Sequence, residues 1–238
     1  MEEVISFDQR LLLALNGSES TYVDNIFMMV TKTGTWVPLL LVLLYILLKN
    51  RPWREVLLVV AAMALLILIT DRFSSGFCKP FFHRFRPSHE PLLEGLVDLV
   101  EGRRGGLYGF ISSHAANTFG LCAFLALYFR RRLTTLTLLL WACLSSYSRI
   151  YLGLHYPGDI LCGALFGLLA GGAVYAVMLW ASARWLEPLR PEWPVAPTLL
   201  GYRSNPDGFE PRDSRLLFLA FLLTLLGVAL LALFYALF

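Results

Sequence analysis

Residues 159–183 read DILCGALFGLLAGGAVYAVMLWASA, twenty-five residues with one charge, Asp159, at the leading edge and no proline. A run of this length and apolarity exceeds the roughly 20 residues an α-helix needs to span a hydrocarbon core. Further apolar runs follow the same pattern outward in both directions, at 24–48, 55–71, 110–129, 133–150 and 214–237. The runs at 55–71 and 133–150 are shorter and stand near the lower limit for a span. The expected fold is therefore all-α: a polytopic membrane helical bundle of about six transmembrane helices in a single domain over 1–238. The short segment at 5–15 is expected as an amphipathic helix lying at the membrane interface.

Composition agrees. Of 238 residues 57% are hydrophobic and 16% charged, against roughly 25% charged in soluble domains. The formal net charge of +3 is too small to suggest a nucleic-acid partner, and no obligate protein partner is evident. The first eighteen residues lack the basic start and long apolar core of a signal peptide. Asn16-Gly17-Ser18 has the form of a glycosylation sequon but is read as turn chemistry. Cys78, Cys122, Cys143 and Cys162 are scattered, and no pair has metal-ligand spacing. They are expected as small buried hydrophobes without a disulfide framework.

Basic residues orient the bundle. If the loop after the first span is cytoplasmic, Lys49, Arg51 and Arg54 lie inside, with Arg130, Arg131, Arg132, Arg184, Arg190, Arg203, Arg212 and Arg215. Trp53, Trp180 and Trp185 then mark the inner interface, and both chain ends face outward. The segment 72–109 becomes a charged outer loop and 184–213 a solvated inner connector.

Three polar clusters fall on the outer side: Lys79 to Arg86-Pro87; Ser112-Ser113-His114, where a helix begins; and Ser148-Arg149 to His155 and Asp159. Lys79, Arg86 and Arg149 offer three cations to one phosphate, the arginines as forks and the lysine as a point charge. Seven residues make about two helical turns, so Lys79 and Arg86 have the spacing to share a face, within the short piece that Pro80 and Pro87 allow. Ser112 and Ser113 stand at a helix N-cap, where free N–H groups favour an anion. Asp159 is placed to fix the tautomer of His155 and leave the other ring nitrogen free to attack phosphorus; His114 suits proton transfer at the leaving oxygen. A lone basic residue beside a membrane is usually a snorkelling anchor, but three cations, two histidines and a carboxylate on one side are not explained that way.

In order and spacing these clusters resemble the type 2 phosphatidic acid phosphatase superfamily, whose signature is K-x6-R-P, then P-S-G-H, then S-R-x5-H-x3-D. The first and third elements match fully. The middle one matches at Ser112 and His114, with Ile111 in place of proline and Ser113 in place of glycine. The resemblance implies an integral membrane lipid phosphatase working without metal or other cofactor. His155 would be the nucleophile that becomes phosphohistidine, Asp159 its orienting carboxylate and His114 the proton donor. Lys79, Arg86, Ser112, Ser113 and Arg149 would hold the phosphate. Lys32, inside the first apolar run, and His83 and Arg84, inside the first cluster, are further candidates for substrate contact. Gly163-x-x-x-Gly167 with Gly171-Gly172 is read as close helix packing.

The substrate is then a membrane lipid phosphate, with a bacterial envelope lipid expected and lipid A first among the candidates. Undecaprenyl pyrophosphate and phosphatidylglycerophosphate are the alternatives. The expected location is the bacterial inner membrane, with the site facing the periplasm. Two other classes fit less well: a haloperoxidase-like enzyme, against which the apolar spans argue, and a catalytically silent lipid-binding relative, against which the intact polar set argues.

Overall fold

The computed structural model describes residues 6–185 and 209–237. It is all-α; among the described residues the one β-type pairing is an isolated antiparallel bridge between Phe85 and Tyr108. The helices are α1 (Phe7–Leu15), α2 (Thr21–Val30), α3 (Val37–Asn50), α4 (Trp53–Asp71), α5 (Lys79–Phe82), α6 (Ser113–Phe129), α7 (Arg132–Tyr151), α8 (Pro157–Trp185) and α9 (Pro211–Leu237).

The first apolar run is not one helix. Thr31-Lys32-Thr33-Gly34-Thr35 and Pro38 are poor company for a helix interior, and the chain breaks there into a 3₁₀ turn over Thr33–Trp36. The break is supported by side chains. Thr35 Oγ1 donates to the Met29 carbonyl at 2.6 Å and Trp36 Nε1 to the Val30 carbonyl at 2.9 Å, which satisfies acceptors at the end of α2. The second run is longer than expected. Between α4 and α5 the chain stays helical through a π-type segment, Arg72–Cys78, where the Lys79 N–H reaches back five residues to the Ser74 carbonyl. The outer loop therefore begins near His83, not at residue 72.

Four stretches are long and apolar enough to cross a membrane: Thr33–Asn50, Trp53–Phe82, Pro157–Arg184 and Pro211–Leu237. The chain is an integral membrane protein. The other two of the expected six are α6 and α7, which pack at the centre against α4, α8, α9 and each other. The inward face of α7 carries Thr134, Thr137, Ser145, Ser146 and Ser148 buried, while Leu136, Leu139 and Leu140 face outward.

The most extensive packing pairs α6 with α8. A Cβ added to Gly163, Gly167 or Gly171 would stand 2.5, 2.3 and 2.3 Å from the carbonyl oxygens of Ser112, Ala116 and Gly120. One glycine stripe thus lets the two backbones touch, as small residues do between membrane helices. The opposite face of α8 presents Leu161, Leu165 and Leu169 outward. Cys78 and Cys122 are buried, but Cys143 and Cys162 are exposed on the outer faces of α7 and α8, and all four are free thiols. Among apolar neighbours a thiol is as acceptable outside the bundle as within it.

Helix α1 is tied firmly to the bundle. Ser6 and Gln9 form a reciprocal cap at its start, and Leu12 is fully buried in a cluster with Leu93, Ile150, Tyr156 and Ile160. At its end Asn16 donates to the carbonyls of Tyr151 and Asp98 and accepts from the Asp98 N–H. At the far end of the bundle Lys49 pairs with Asp213 at 2.8 Å, the Arg51 guanidinium lies 4.8 Å from the Phe209 ring, and Arg131 bonds the Phe209 carbonyl. Residues 186–208 of the expected connector, and with them Arg190 and Arg203, lie outside the described residues.

Candidate active site

Helix directions bring the three polar clusters to one end. The α4–α5 helix finishes there, α6 and α8 begin there, and α7 ends there. Gly153, with φ of 66°, turns the chain between α7 and α8, and the Leu154 and His155 amides both donate to the Arg149 carbonyl. That turn carries His155 back over the start of α6. The Ser112 N–H donates to the Asp159 carbonyl at 3.1 Å, so the starts of α6 and α8 are directly linked.

Asp159 is fully buried and His155 nearly so, at 2%. Asp159 Oδ2 lies 3.4 Å from His155 Nδ1 and also accepts the Tyr156 N–H at 3.2 Å. Nδ1 is thereby directed at the carboxylate and Nε2 faces away from it. Burial first, then the charges of Arg86, Arg149 and Lys79, hold the His155 imidazole well below its ordinary value. The ring is neutral at neutral pH, the form in which a nitrogen lone pair can attack. Gly109 packs against this pair; a Cβ there would lie 3.0 Å from Asp159 Oδ2.

The cations are held separately. Lys79 Nζ donates to Ser75 Oγ at 3.0 Å and Ser113 Oγ at 2.9 Å, and the two hydroxyls are 2.9 Å apart. The serine that stands in the glycine position is thus a partner of the site lysine. Arg86 does not share a helix face with Lys79. His83, with φ of 48°, ends α5, and Arg86 lies in the extended segment beyond, paired with the returning strand of the loop. Its Nε donates to the Tyr108 carbonyl and its Nη1 to the Leu154 carbonyl. Burial lowers the Arg86 pKa from its ordinary value. Arg149 Nη1 donates to Thr31 Oγ1 at 2.7 Å. Its Nε is buried with no hydrogen-bond partner among the described residues, a donor that an anion would satisfy.

Ser112 caps α6, its Oγ accepting the Ala115 N–H at 3.3 Å. His114 stands on the first turn of α6 with Nε2 3.1 Å from Ser145 Oγ. The three further candidates for substrate contact are placed differently from one another. Lys32 is exposed at the break before α3, one residue from the Thr31 that Arg149 grips. His83 is exposed, edge-on to Tyr108 at 4.9 Å. Arg84 is not open to substrate as expected: both ends of its guanidinium are taken by carboxylates, Asp159 at 2.8 Å and Asp8 at 2.6 Å.

Sequence reasoning missed Asp8, Thr31, Ser75, Gly109 and Ser145. Ser75 had a signal, since it sits one helical turn before Lys79, and Thr31 adjoins a residue that drew attention. Asp8 had none, being separated by 76 positions from Arg84 and by 150 from Gly158, whose N–H it accepts.

A helical membrane bundle with a buried His–Asp pair, a second histidine and three convergent cations defines a class of phosphate-transferring membrane enzyme. The match of residues 55–183 to the PAP2 superfamily makes the family plain: the chain belongs to it and is a phosphatase. It is 41% identical over 196 residues to a lipid A 4'-phosphatase of Porphyromonas gingivalis, covering 82% of this chain and 83% of the relative. A lipid A 4'-phosphatase of Bacteroides thetaiotaomicron is 43% identical over 185 residues, covering 77% and 82%. Among solved structures, the crystal structure of Aquifex aeolicus LpxE superposes with a TM-score of 0.55 at 25% identity, covering 74% of this chain and 99% of that one.

Proposed function

We propose that this phosphatase removes the 4'-phosphate of lipid A at the periplasmic face of the inner membrane, through a phosphohistidine at His155. The mechanism rests on the buried His155–Asp159 pair facing three cations. The substrate rests on the two relatives of that name, each matched over more than three quarters of this chain.

In the first step His155 Nε2 bonds to phosphorus as the bond to the lipid oxygen breaks, and His114 gives that oxygen its proton. Asp159 holds Nδ1–H and balances the positive charge that grows on the ring. In the second step His114 takes a proton from water, whose oxygen attacks phosphorus. The N–P bond breaks, and inorganic phosphate and the original imidazole are restored. Lys79, Arg86, Arg149, Ser112 and Ser113 supply donors for the phosphoryl oxygens as charge rearranges.

The test is phosphate release in detergent, with EDTA present, from lipid A, undecaprenyl pyrophosphate, phosphatidylglycerophosphate and phosphatidic acid, beside His155→Ala. Release is expected from lipid A, and the variant should lose on the order of 10⁴-fold or more, beyond the 10²–10⁴ typical of a general acid. Preference for another lipid would overturn the substrate; release that survives the mutation would overturn the nucleophile.

A further inference from the structure

Arg84 is the basic residue of the Lys79–Arg86 cluster whose guanidinium is clamped between two carboxylates. Nη1 donates to Asp159 Oδ1 at 2.8 Å and Nη2 to Asp8 Oδ2 at 2.6 Å, while its centre lies 4.2 Å from the Tyr156 ring. The other oxygen of Asp8 accepts the Gly158 N–H at 2.9 Å, on the first turn of α8. The other oxygen of Asp159 faces His155 Nδ1. The result is an unbroken line of polar contacts, Asp8 to Arg84 to Asp159 to His155, that starts on the N-terminal helix and ends on the nucleophile.

We infer that Asp8 is a positioning residue of the phosphatase site, holding Arg84 on Asp159 so that Asp159 keeps His155 in the Nδ1–H tautomer. The reason is competition. Arg84 stands beside a site built to attract a phosphate dianion, and a fork with one edge free would be drawn to that charge. Leaving Asp159 would release the carboxylate that orients the ring. A carboxylate on the second edge removes the free edge, and Tyr156 closes one face of the plane. Burial works against the Arg84 charge, but Asp159 and Asp8 more than offset it, so its pKa stands above the ordinary value.

A purely structural role for Asp8 makes a different prediction. As an acceptor for the Gly158 N–H it would tie α1 to α8, and its loss would lower stability without altering the imidazole. Asp8→Asn separates the two, since an amide oxygen can still accept from Gly158 but carries no charge for Arg84.

The inference rests on the histidine mechanism but not on which lipid is cleaved. The experiment compares the full chain in detergent as wild type, Asp8→Asn, Arg84→Gln and the double variant. It reads the side-chain ¹⁵N shifts of His155 and, with lipid A, kcat and KM. Asp8→Asn is expected to lower the Nδ1–H fraction of His155 and to reduce kcat by about ten- to a hundredfold, the loss of one charge-assisted hydrogen bond. KM should be unchanged or lower, because the freed edge of Arg84 can grip phosphate. The double variant should be no worse than Arg84→Gln. A wild-type His155 spectrum in Asp8→Asn, a rise in KM at unchanged kcat, or effects that multiply in the double variant would overturn the relay. If the wild type released nothing from lipid A, that would count against the substrate alone, and the tautomer comparison would still decide the relay. Should Asp8→Asn not fold, Arg84→Lys leaves a single ammonium that cannot span both carboxylates, so Asp8 no longer holds it on Asp159. It should show the same tautomer loss, and a wild-type spectrum there would overturn the inference.

Discussion

His155 is buried among like charges that it would join on protonation, and this has a thermodynamic consequence. Its folded-state pKa lies well below the ordinary value, which is about 6.5 in an unfolded chain. Between those two values the unfolded state binds more protons than the folded one, so stability rises with pH. The contribution is fully present above about pH 6.5 and is lost as the pH falls through the folded pKa. Thermal unfolding in detergent checks this against His155→Asn, in which the other titrating groups are shared. As the pH falls from about 7.5 to about 5, the wild type should lose ground to the variant, by up to about 1.4 kcal/mol per unit below pH 6.5. A difference that does not change with pH would mean that the imidazole is not held neutral.

At the scale of helices, the contact between α6 and α8 sets the distance from Ser112 and His114 to His155 and Asp159. Gly167 lies at its middle, where a Cβ would meet the Ala116 carbonyl at 2.3 Å and the Gly120 nitrogen at 2.9 Å. Backbone atoms cannot step aside as a side chain can, so Gly167→Ala should force the helices apart. The expected loss is about 1–3 kcal/mol of stability, together with a fall in phosphate release larger than that destabilisation explains. A variant that melts and turns over like wild type would show that the contact does not set the site. This stripe was legible in the sequence, because glycines four residues apart lie on one helix face. The residues from Lys79 to Asp159 were legible for a similar reason: their spacing along the chain is itself the pattern. What was hidden depended on backbone events between those residues. A left-handed His83 sends Arg86 off the helix axis, and a π-type turn shifts the helical register ahead of Lys79. A 3₁₀ break puts Thr31, and not an apolar residue, against Arg149. Asp8 was hidden more deeply, since nothing local to α1 points to a partner 76 residues away.

For the whole molecule, charge is divided between the ends. Lys49, Arg51, Arg54 and Arg130–Arg132 cluster at the end opposite His155, as the positive-inside bias requires for a site on the periplasmic side. Single cysteines in a cysteine-free background test this. Glu101→Cys, exposed in the loop at the site end, should react with a membrane-impermeant maleimide added from the periplasmic side, and Arg54→Cys only after lysis. The reverse pattern would place the site in the cytoplasm. The docking of α1 also fixes an order of events during synthesis. Asp8 leaves the ribosome well before Gly158, which it must meet and which comes 150 positions later. At roughly 5–20 residues per second of elongation, the N-terminal helix waits on the order of ten seconds or more for its binding surface to be made. The active site therefore closes late, once about two thirds of the chain has been made, and a nascent chain stalled before α8 carries the three cations, His114 and His155 but lacks Asp159, the carboxylate that orients the nucleophile.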